Sequence, residues 1–383
     1  MSALIRDLFL GVCAIPSIYY TIALVSSVNF FRSAPGDAEQ KRGFAPPVSI
    51  LKPIRGLDPG ARENFSSFCQ QDYPDYEILF CVGDTSDPAF PLLEQLVREF
   101  PQRQIRILIG SGRHAANDKV AKLARLVDEA AYEYLVINDS DVRVEPDYLR
   151  RIVAPLADPK VGAVTCFYVP TEDTNWVQRM QDVGMISDFY PGILVAKQLD
   201  GVKFALGPTI ATTRHHLQSF GGYASLENRP ADDLLVGRLI AEHGYEVKLL
   251  PYTISTVPDY ASLRDLFHKR LRWMTVMRHM RPWGHFGLIF TLGLPWALLA
   301  VAVRPTLAVA ASYLLGYLAF RTAMTLVVAV WGLRQRGVWG KLPLLPVWDA
   351  FACLIWLTSF ARKGIRWRGQ EYLIRNGELV PAP

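Results

Sequence analysis

Cysteine is scarce in this chain and shows no pairing pattern. Its 383 residues include five cysteines, Cys13, Cys69, Cys81, Cys166 and Cys353. The number is odd and no pair has CxxC spacing, which argues against a disulfide framework or a zinc site. The soluble part is therefore expected to face a reducing compartment. His215, His216, His268 and His279 show no metal-ligand spacing. No GxSxG elbow and no Walker-type phosphate loop is present. Internal repeats and low-complexity tracts are absent as well. Charge is nearly balanced, with 41 Lys and Arg against 36 Asp and Glu. The middle of the chain has no basic face, which excludes nucleic acid as a partner.

What the chain has in excess is hydrophobicity at its ends. Half of its residues are hydrophobic, at the upper edge for a soluble protein. The surplus lies in the first 31 residues and beyond residue 284. Leu8 to Phe31 is long enough to cross a bilayer. It exceeds the apolar core of a signal peptide and lacks a small-residue cleavage site, so residues 1–31 read as an uncleaved transmembrane anchor. Residues 32–47 are polar and contain proline, as a linker does. Three more hydrophobic segments, Phe286 to Val303, Thr306 to Leu333 and Leu342 to Phe360, make residues 284–361 a C-terminal membrane region, with a basic tail at 362–383.

The basic residues cluster at Arg264 to Arg281 and Arg362 to Arg375, each beside a hydrophobic stretch. This is the pattern of a juxtamembrane belt facing anionic lipid. A full crossing by Leu342 to Phe360 would carry Arg362, Lys363, Arg366, Arg368 and Arg375 to the non-cytosolic side, against the usual charge bias. That segment also contains Pro343, Pro346 and Asp349. It is expected to be re-entrant or interfacial, with Asp349 facing protein or water and a cytosolic C-terminus.

Residues 48–262 alternate strands and helices. Expected strands are Val48 to Leu51, Tyr76 to Val82, Gln104 to Ile109 and Tyr134 to Ile137. Expected helices are Pro59 to Gln70, N-capped by Asp58, then Pro88 to Phe100 and Asp118 to Ala131. The rhythm predicts an α/β class, doubly wound domain. Ligands in such sheets sit beyond the carboxyl ends of strands, where this chain carries Lys52, Asp84 and Asp139.

Asp139-Ser140-Asp141 follows an apolar strand. Two carboxylates two residues apart can converge on one hard divalent cation, Mg or Mn, that keeps positions open for phosphates. Such a cation offsets the charge of a departing sugar diphosphate. Asp232-Asp233 opens a helix over Leu234 to His243. Acids there complement the helix dipole, and one of them is a candidate general base for an acceptor hydroxyl. Lys269-Arg270-Leu271-Arg272-Trp273 lies in a helix, within 263–283, whose apolar residues recur at helical spacing. The other face is basic, as in an interfacial amphipathic helix. Arg272 is a candidate for diphosphate stabilisation and Trp273 for packing near the acceptor. Asp84 is a candidate partner for a base or ribose, and Lys119 for a phosphate.

Together these residues resemble the ceramide glucosyltransferase family, a branch of the family-2-type inverting glycosyltransferases. The matching stretches are 49–56 (SILKPIRG), 71–77 (QDYPDYE), 81–89 (CVGDTSDPA), 138–144 (NDSDVRV), 231–233 (ADD) and 270–273 (RLRW). The family's "D, D, D, (Q/R)xxRW" signature falls on Asp84, Asp139, Asp233 and Lys269 to Trp273. The resemblance implies a GT-A-like nucleotide-sugar-binding domain, a divalent cation, a UDP-sugar donor and a base at Asp233. It also implies a membrane lipid as acceptor, with glucose passing to ceramide. A similar bacterial branch moves N-acetylglucosamine to a hopanoid polyol, and processive polysaccharide synthases share the acids and the RW motif. A catalytically dead lipid-binding protein is a further alternative, against which all the key acids are present. Lys269 departs from the Gln or Arg of the family. The expected setting is an integral membrane protein with a cytosolic catalytic domain, in a bacterial inner membrane.

Overall fold

Successive residues of a strand point to opposite faces, and here both faces are apolar. In the computed structural model β1 (Val48–Pro53) and β2 (Tyr76–Val82) are buried along their whole length. Leu51, Leu79, Leu135 and Ile137 enter one hydrophobic cluster. Ile50, Ile78, Phe80 and Val136 enter another on the opposite side. Such double burial is what a parallel sheet covered by helices requires. The structure describes residues 3–33, 43–113, 115–171, 175–257, 261–367 and 370–382. Most of the expected linker at 32–47 lies outside them.

The remaining strands are β3 (Gln104–Ile109), β4 (Tyr134–Ile137), β5 (Val142–Arg143), β6 (Val161–Pro170), β7 (Ile210–Thr213) and β8 (Glu246–Thr256). The eight form one sheet in the order β3-β2-β1-β4-β7-β6-β8-β5. The first four are parallel, with Val48 facing both Tyr76 and Tyr134. Beyond β4 the sheet is mixed, because β7 runs antiparallel to both β4 and β6. The α/β expectation holds, and the doubly wound parallel half ends at β4.

The helices between the parallel strands are Ala61–Cys69, Phe90–Glu99 and Asp118–Glu129. One expectation is corrected. Asp58 does not cap the first of them. The cap is Gly60, at φ 67°, with no side-chain cap bond, and the Asp58 carboxylate instead accepts the Ser140 hydroxyl. Proximity in sequence suggested a cap, but the turn at Gly60 points Asp58 towards the end of β4.

The expected N-terminal anchor is two helices, Ala3–Cys13 and Ile15–Arg32, interrupted just before Pro16. Proline supplies no amide to the helix ladder. The last turns of the second helix pack on the large sheet: Phe30 lies edge-on against Phe167 of β6, with ring centroids 5.8 Å apart. Among the described residues three stretches are long and apolar enough to cross a membrane: Ala3–Arg32, Leu307–Gly332 and Arg336–Phe360. A further pair, Pro282–Thr291 and Gly293–Val303, is bent by 57°. Arg304 reaches Asp7 at 3.9 Å, and Gly332 lies against the Phe31 ring. The bent pair thus runs toward the start of the anchor, and the next helix returns to its end.

The helix Leu345–Phe360 behaves differently, because its start touches the α/β domain and its end touches the segment at 278–285. Trp348 fills the space beside Gly184. At the other end Trp356 stacks on His285, and Arg278 donates to the Phe360 carbonyl at 3.2 Å. Val347, Leu354, Leu357 and Phe360 are exposed. Asp349 faces protein: Arg321 donates to it, with Nε 3.0 Å from Oδ2, and Tyr317 donates at 2.7 Å. The tail at 362–383 is not a simple basic extension. It forms a second, antiparallel sheet of β9 (Gly364–Trp367), β10 (Gln370–Arg375) and β11 (Glu378–Pro381).

Candidate active site

The end of β4 is pinned before it delivers its acids. Asn138 is fully buried, and its amide donates to the Tyr148 hydroxyl at 2.9 Å, the Pro208 carbonyl at 2.9 Å and Thr209 Oγ1 at 3.0 Å. The chain then turns through Asp139-Ser140-Asp141. Lys52, at the end of β1, donates to the Asp139 carbonyl at 2.9 Å. Its ammonium lies 3.8 Å from the centre of the Phe68 ring. Burial lowers its pKa to about 7, against the pull of Asp139, Asp141 and Asp58. The Asp141 carboxyl is pushed up to about 7, first by burial and then by Asp139, with Lys269 opposing.

Lys119 enters from the helix Asp118–Glu129, whose start is capped by Asn117. Its ammonium is 2.8 Å from Asp139 Oδ1 and 3.3 Å from Asp232 Oδ2. Burial works against its charge, but Asp139, Asp232 and Asp233 outweigh it and hold the pKa well above the ordinary value. Asp232 and Asp233 form the first turn of the helix Asp232–Glu242. Asp233 Oδ2 accepts the Gly207 amide at 3.1 Å, and Oδ1 accepts the Leu234 amide at 2.8 Å. Burial and then Asp232 push its carboxyl up to about 6, with Lys119 opposing. A carboxylate raised into this range is suited to taking a proton near neutral pH.

The structure thus brings Lys52, Lys119, Asp139, Asp141 and Asp233 to one end of the sheet. Asp84 stands at the rim. Its carboxylate is exposed and accepts the Ser86 amide at 2.7 Å, and the Ser86 hydroxyl, then that amide, hold its pKa below the usual carboxylate value. The helix Leu263–Met280 carries the basic motif. Leu266 and Leu271 are buried beneath it. Lys269 Nζ lies 5.7 Å from the Trp273 ring centre, and Arg270 sits 4.9 Å from both Trp273 and Trp348. Trp273 packs on Phe189, with centroids 6.1 Å apart. Arg272 is half-buried on the same helix.

Three roles escape a reading of the sequence. Asp58 joins the site through Ser140, a contact spanning 82 positions of chain. Asp232 is the second partner of Lys119. Gly207 matters because a Cβ there would lie 2.9 Å from Asp233 Oδ2 and 3.5 Å from Asp139 Oδ2. A lone glycine before a proline carries no signal for that role. Among the described residues no three His, Cys, Asp or Glu side chains stand together as a ready metal site. Asp139 and Asp141 offer two hard oxygen ligands on one turn. They fit a cation whose coordination is completed by phosphate oxygens and water.

Comparison with known proteins gives the family and the fold. The sequence pattern described as glycosyl transferase family 21 matches residues 8–380. The ceramide glucosyltransferase of Komagataella phaffii is 34% identical over 146 residues, 36% of this chain and 29% of that protein. Ceramide glucosyltransferase 3 of Caenorhabditis elegans is 22% identical over 237 residues, 62% and 52% of the two chains. The beta-monoglucosyldiacylglycerol synthase of a Synechocystis strain is 26% identical over 234 residues, 60% and 47%. The matches thus span about half or less of these curated relatives. A mannosyltransferase of Pyrobaculum calidifontis, solved with GDP-Man and Mn2+, superposes with a TM-score of 0.60 at 19% identity, over 91% of this chain and 99% of that one. The likeness establishes the GT-A fold.

Proposed function

We propose, from the premise that this chain belongs to glycosyl transferase family 21, that it transfers a hexose from a UDP-sugar to the hydroxyl of a membrane lipid with inversion. The observation that carries the reading is the convergence of Asp139, Asp141, Asp233 and Lys119 beside the helix of the RW motif. Asp233 takes the proton of the acceptor hydroxyl, whose oxygen attacks the anomeric carbon while the bond to UDP breaks. Fixed by the Gly207 and Leu234 amides, this base needs little reorganisation. Arg272 and Lys119 stabilise the diphosphate, the kind of electrostatic term that is commonly the largest. A divalent cation bound by Asp139 and Asp141 would supply further neutralisation of the leaving group. Asp84 takes a polar edge of the nucleoside, and Lys52 holds the turn that presents Asp139.

Glucose to ceramide is the reaction that the relatives favour, over a hopanoid or a polysaccharide product. We place Leu345–Phe360, whose Val347, Leu354, Leu357 and Phe360 are exposed, in the cytosolic leaflet, with catalytic domain and C-terminus on the same side, because the basic residues after it favour the cytosolic side. Membranes carrying the chain, incubated with labelled UDP-glucose or UDP-N-acetylglucosamine and ceramide, test the reading once the lipids are resolved. Labelled glucosylceramide is the expected product. A labelled polymer, or no labelled lipid, overturns it.

A further inference from the structure

The C-terminal sheet lies against the loop that leads into Asp232 and Asp233. Its hairpin turn is Asn376-Gly377, both residues at positive φ, 51° and 78°, as a two-residue turn of the twisted type demands. The turn presents the Asn376 carbonyl to Arg229, which donates to it at 3.1 Å and lies 3.5 Å from Glu378. A Cβ at Gly377 would come within 2.7 Å of the Arg229 guanidinium. Next in β11, the Leu379 amide donates to the Asn228 carbonyl at 2.7 Å.

The same loop is tied from the other side to the start of the Lys119 helix. The Asn117 amide donates to the Glu227 carbonyl at 2.9 Å, and its side chain donates to the Arg229 carbonyl at 2.9 Å. The Ala116 amide donates to Asn228 Oδ1 at 3.3 Å. Ile365, Tyr372, Ile374 and Leu379 form a small apolar core of the sheet, closed by Ala116 and by Val276 of the RW helix. One sheet therefore touches the segment before Lys119, the segment before Asp232 and the helix of Arg272.

We infer that this C-terminal sheet is a positioning element of the transfer site: through Arg229 and Asn228 it fixes where Asp232 and Asp233 stand relative to Lys119 and Asp139. The inference rests on the reading of Asp233 as the base. Arg229 touches no reacting atom and acts through the loop. An error of an ångström in placing a base is enough to slow a reaction by orders of magnitude, so a support of this kind belongs to the machinery although it is remote from the chemistry.

Two variants in the full-length, membrane-embedded chain test it. Arg229→Met keeps the aliphatic stem and removes both contacts to the hairpin. Leu379→Pro removes the amide that holds Asn228. Each is expected to lower kcat by about tenfold with donor and acceptor KM within about twofold, and Arg229→Lys to recover most of the loss. Hydrogen exchange supplies a readout independent of turnover. The Gly207 and Leu234 amides, which bond Asp233, are expected to exchange at least about fivefold faster in Arg229→Met, while the amides of β1 keep their rates. Unchanged exchange at Gly207 and Leu234, or a rise shared equally by β1, overturns the inference. A wild-type chain that transfers no sugar would instead remove the transferase reading, and the exchange pattern would still decide whether the sheet holds Asp233.

Discussion

Asp349 in the membrane-facing bundle and Asp139 in the candidate active site are both carboxylates paired with a basic side chain, yet their charge is met in opposite ways. Asp349 has one counter-ion in a closed arrangement. Arg321 grips both of its oxygens, Tyr317 donates to it, and the same guanidinium also donates to the Ser187 carbonyl and hydroxyl. Both partners are about 2% exposed. The site around Asp139 is open by contrast. Asp58, Asp139, Asp141, Asp232 and Asp233 gather there, with Lys52, Lys119 and Lys269 acting against them. A closed pair holds helices together and has nothing left to bind with. A surplus of carboxylates is unfavourable alone and becomes favourable when a cation and a proton donor arrive. Ion pairing is common to both regions, so exposure and the balance of charge separate scaffold from site.

The sharpest way to break this contrast is to remove the cation. Excess chelator is expected to abolish transfer and Mg or Mn to restore it, while the thermal unfolding midpoint set by the membrane bundle stays in place. Full turnover in chelator would mean that Lys119 and Lys52 suffice to neutralise the turn. Next in size is the base. Asp233→Asn is expected to cost about 10² to 10⁴ in kcat with UDP binding near normal. The opposite result, an active Asp233→Asn and a dead Asp232→Asn, would move the base one residue back in the helix.

The Arg321–Asp349 pair answers to stability instead. Arg321→Met leaves a buried carboxylate without its partner and is expected to destabilise the chain by about 3–5 kcal/mol, whereas Arg321→Met with Asp349→Leu recovers most of the loss. Thermal unfolding in detergent reads both. If the double variant folds as the wild type does but transfers no sugar, the pair is not the closed scaffold described here.

The parts of this molecule that were legible in the sequence are those whose cause is local. β2, β3 and β4 follow from short apolar runs bounded by turn residues, and the acids at the end of β4 follow from where that strand stops. The second half of the sheet was not legible. β7 has only four residues, Ile210–Thr213, and its antiparallel seat between β4 and β6 is set by partners far away in the chain. The same holds for Asp58 and Gly207, whose roles arise only when the loops close. The tail at 362–383 is basic and reads as membrane-flanking, yet alternating Tyr372 and Ile374 bury one face of a small sheet. Its Asn376-Gly377 hairpin turn was the local signal available for that sheet.

Titration compares the two regions in a gentler way. The ordinary Asp carboxyl ionises near 3.8, and that of Asp233 is raised to about 6. A base works only when ionised, so kcat/KM is expected to be flat above about pH 7 and to fall by about tenfold per unit below pH 6. A profile that falls only below about pH 4 would show Asp233 to be an ordinary exposed acid.

The smallest expected effect concerns Lys269, where this chain departs from the Gln or Arg of its family's signature. Lys269 opposes the burial of charge at Asp141 and lies over the Trp273 ring, so what it supplies here is positive charge near the acids and an aromatic partner. Arginine keeps both, adding only a planar fork. A cation over an aromatic ring at a partly exposed position is worth about 0.5–1 kcal/mol, and most of that survives the exchange. Lys269→Arg is therefore expected to change kcat and donor KM by no more than about twofold. A loss of tenfold or more would show that the compact ammonium makes a contact the guanidinium cannot fit, and that this position helps shape the donor site. No comparable tolerance is expected at Arg321, since lysine there cannot hold both oxygens of Asp349 and reach Ser187 as well. The two basic positions thus separate charge that acts at a distance from charge that acts by geometry.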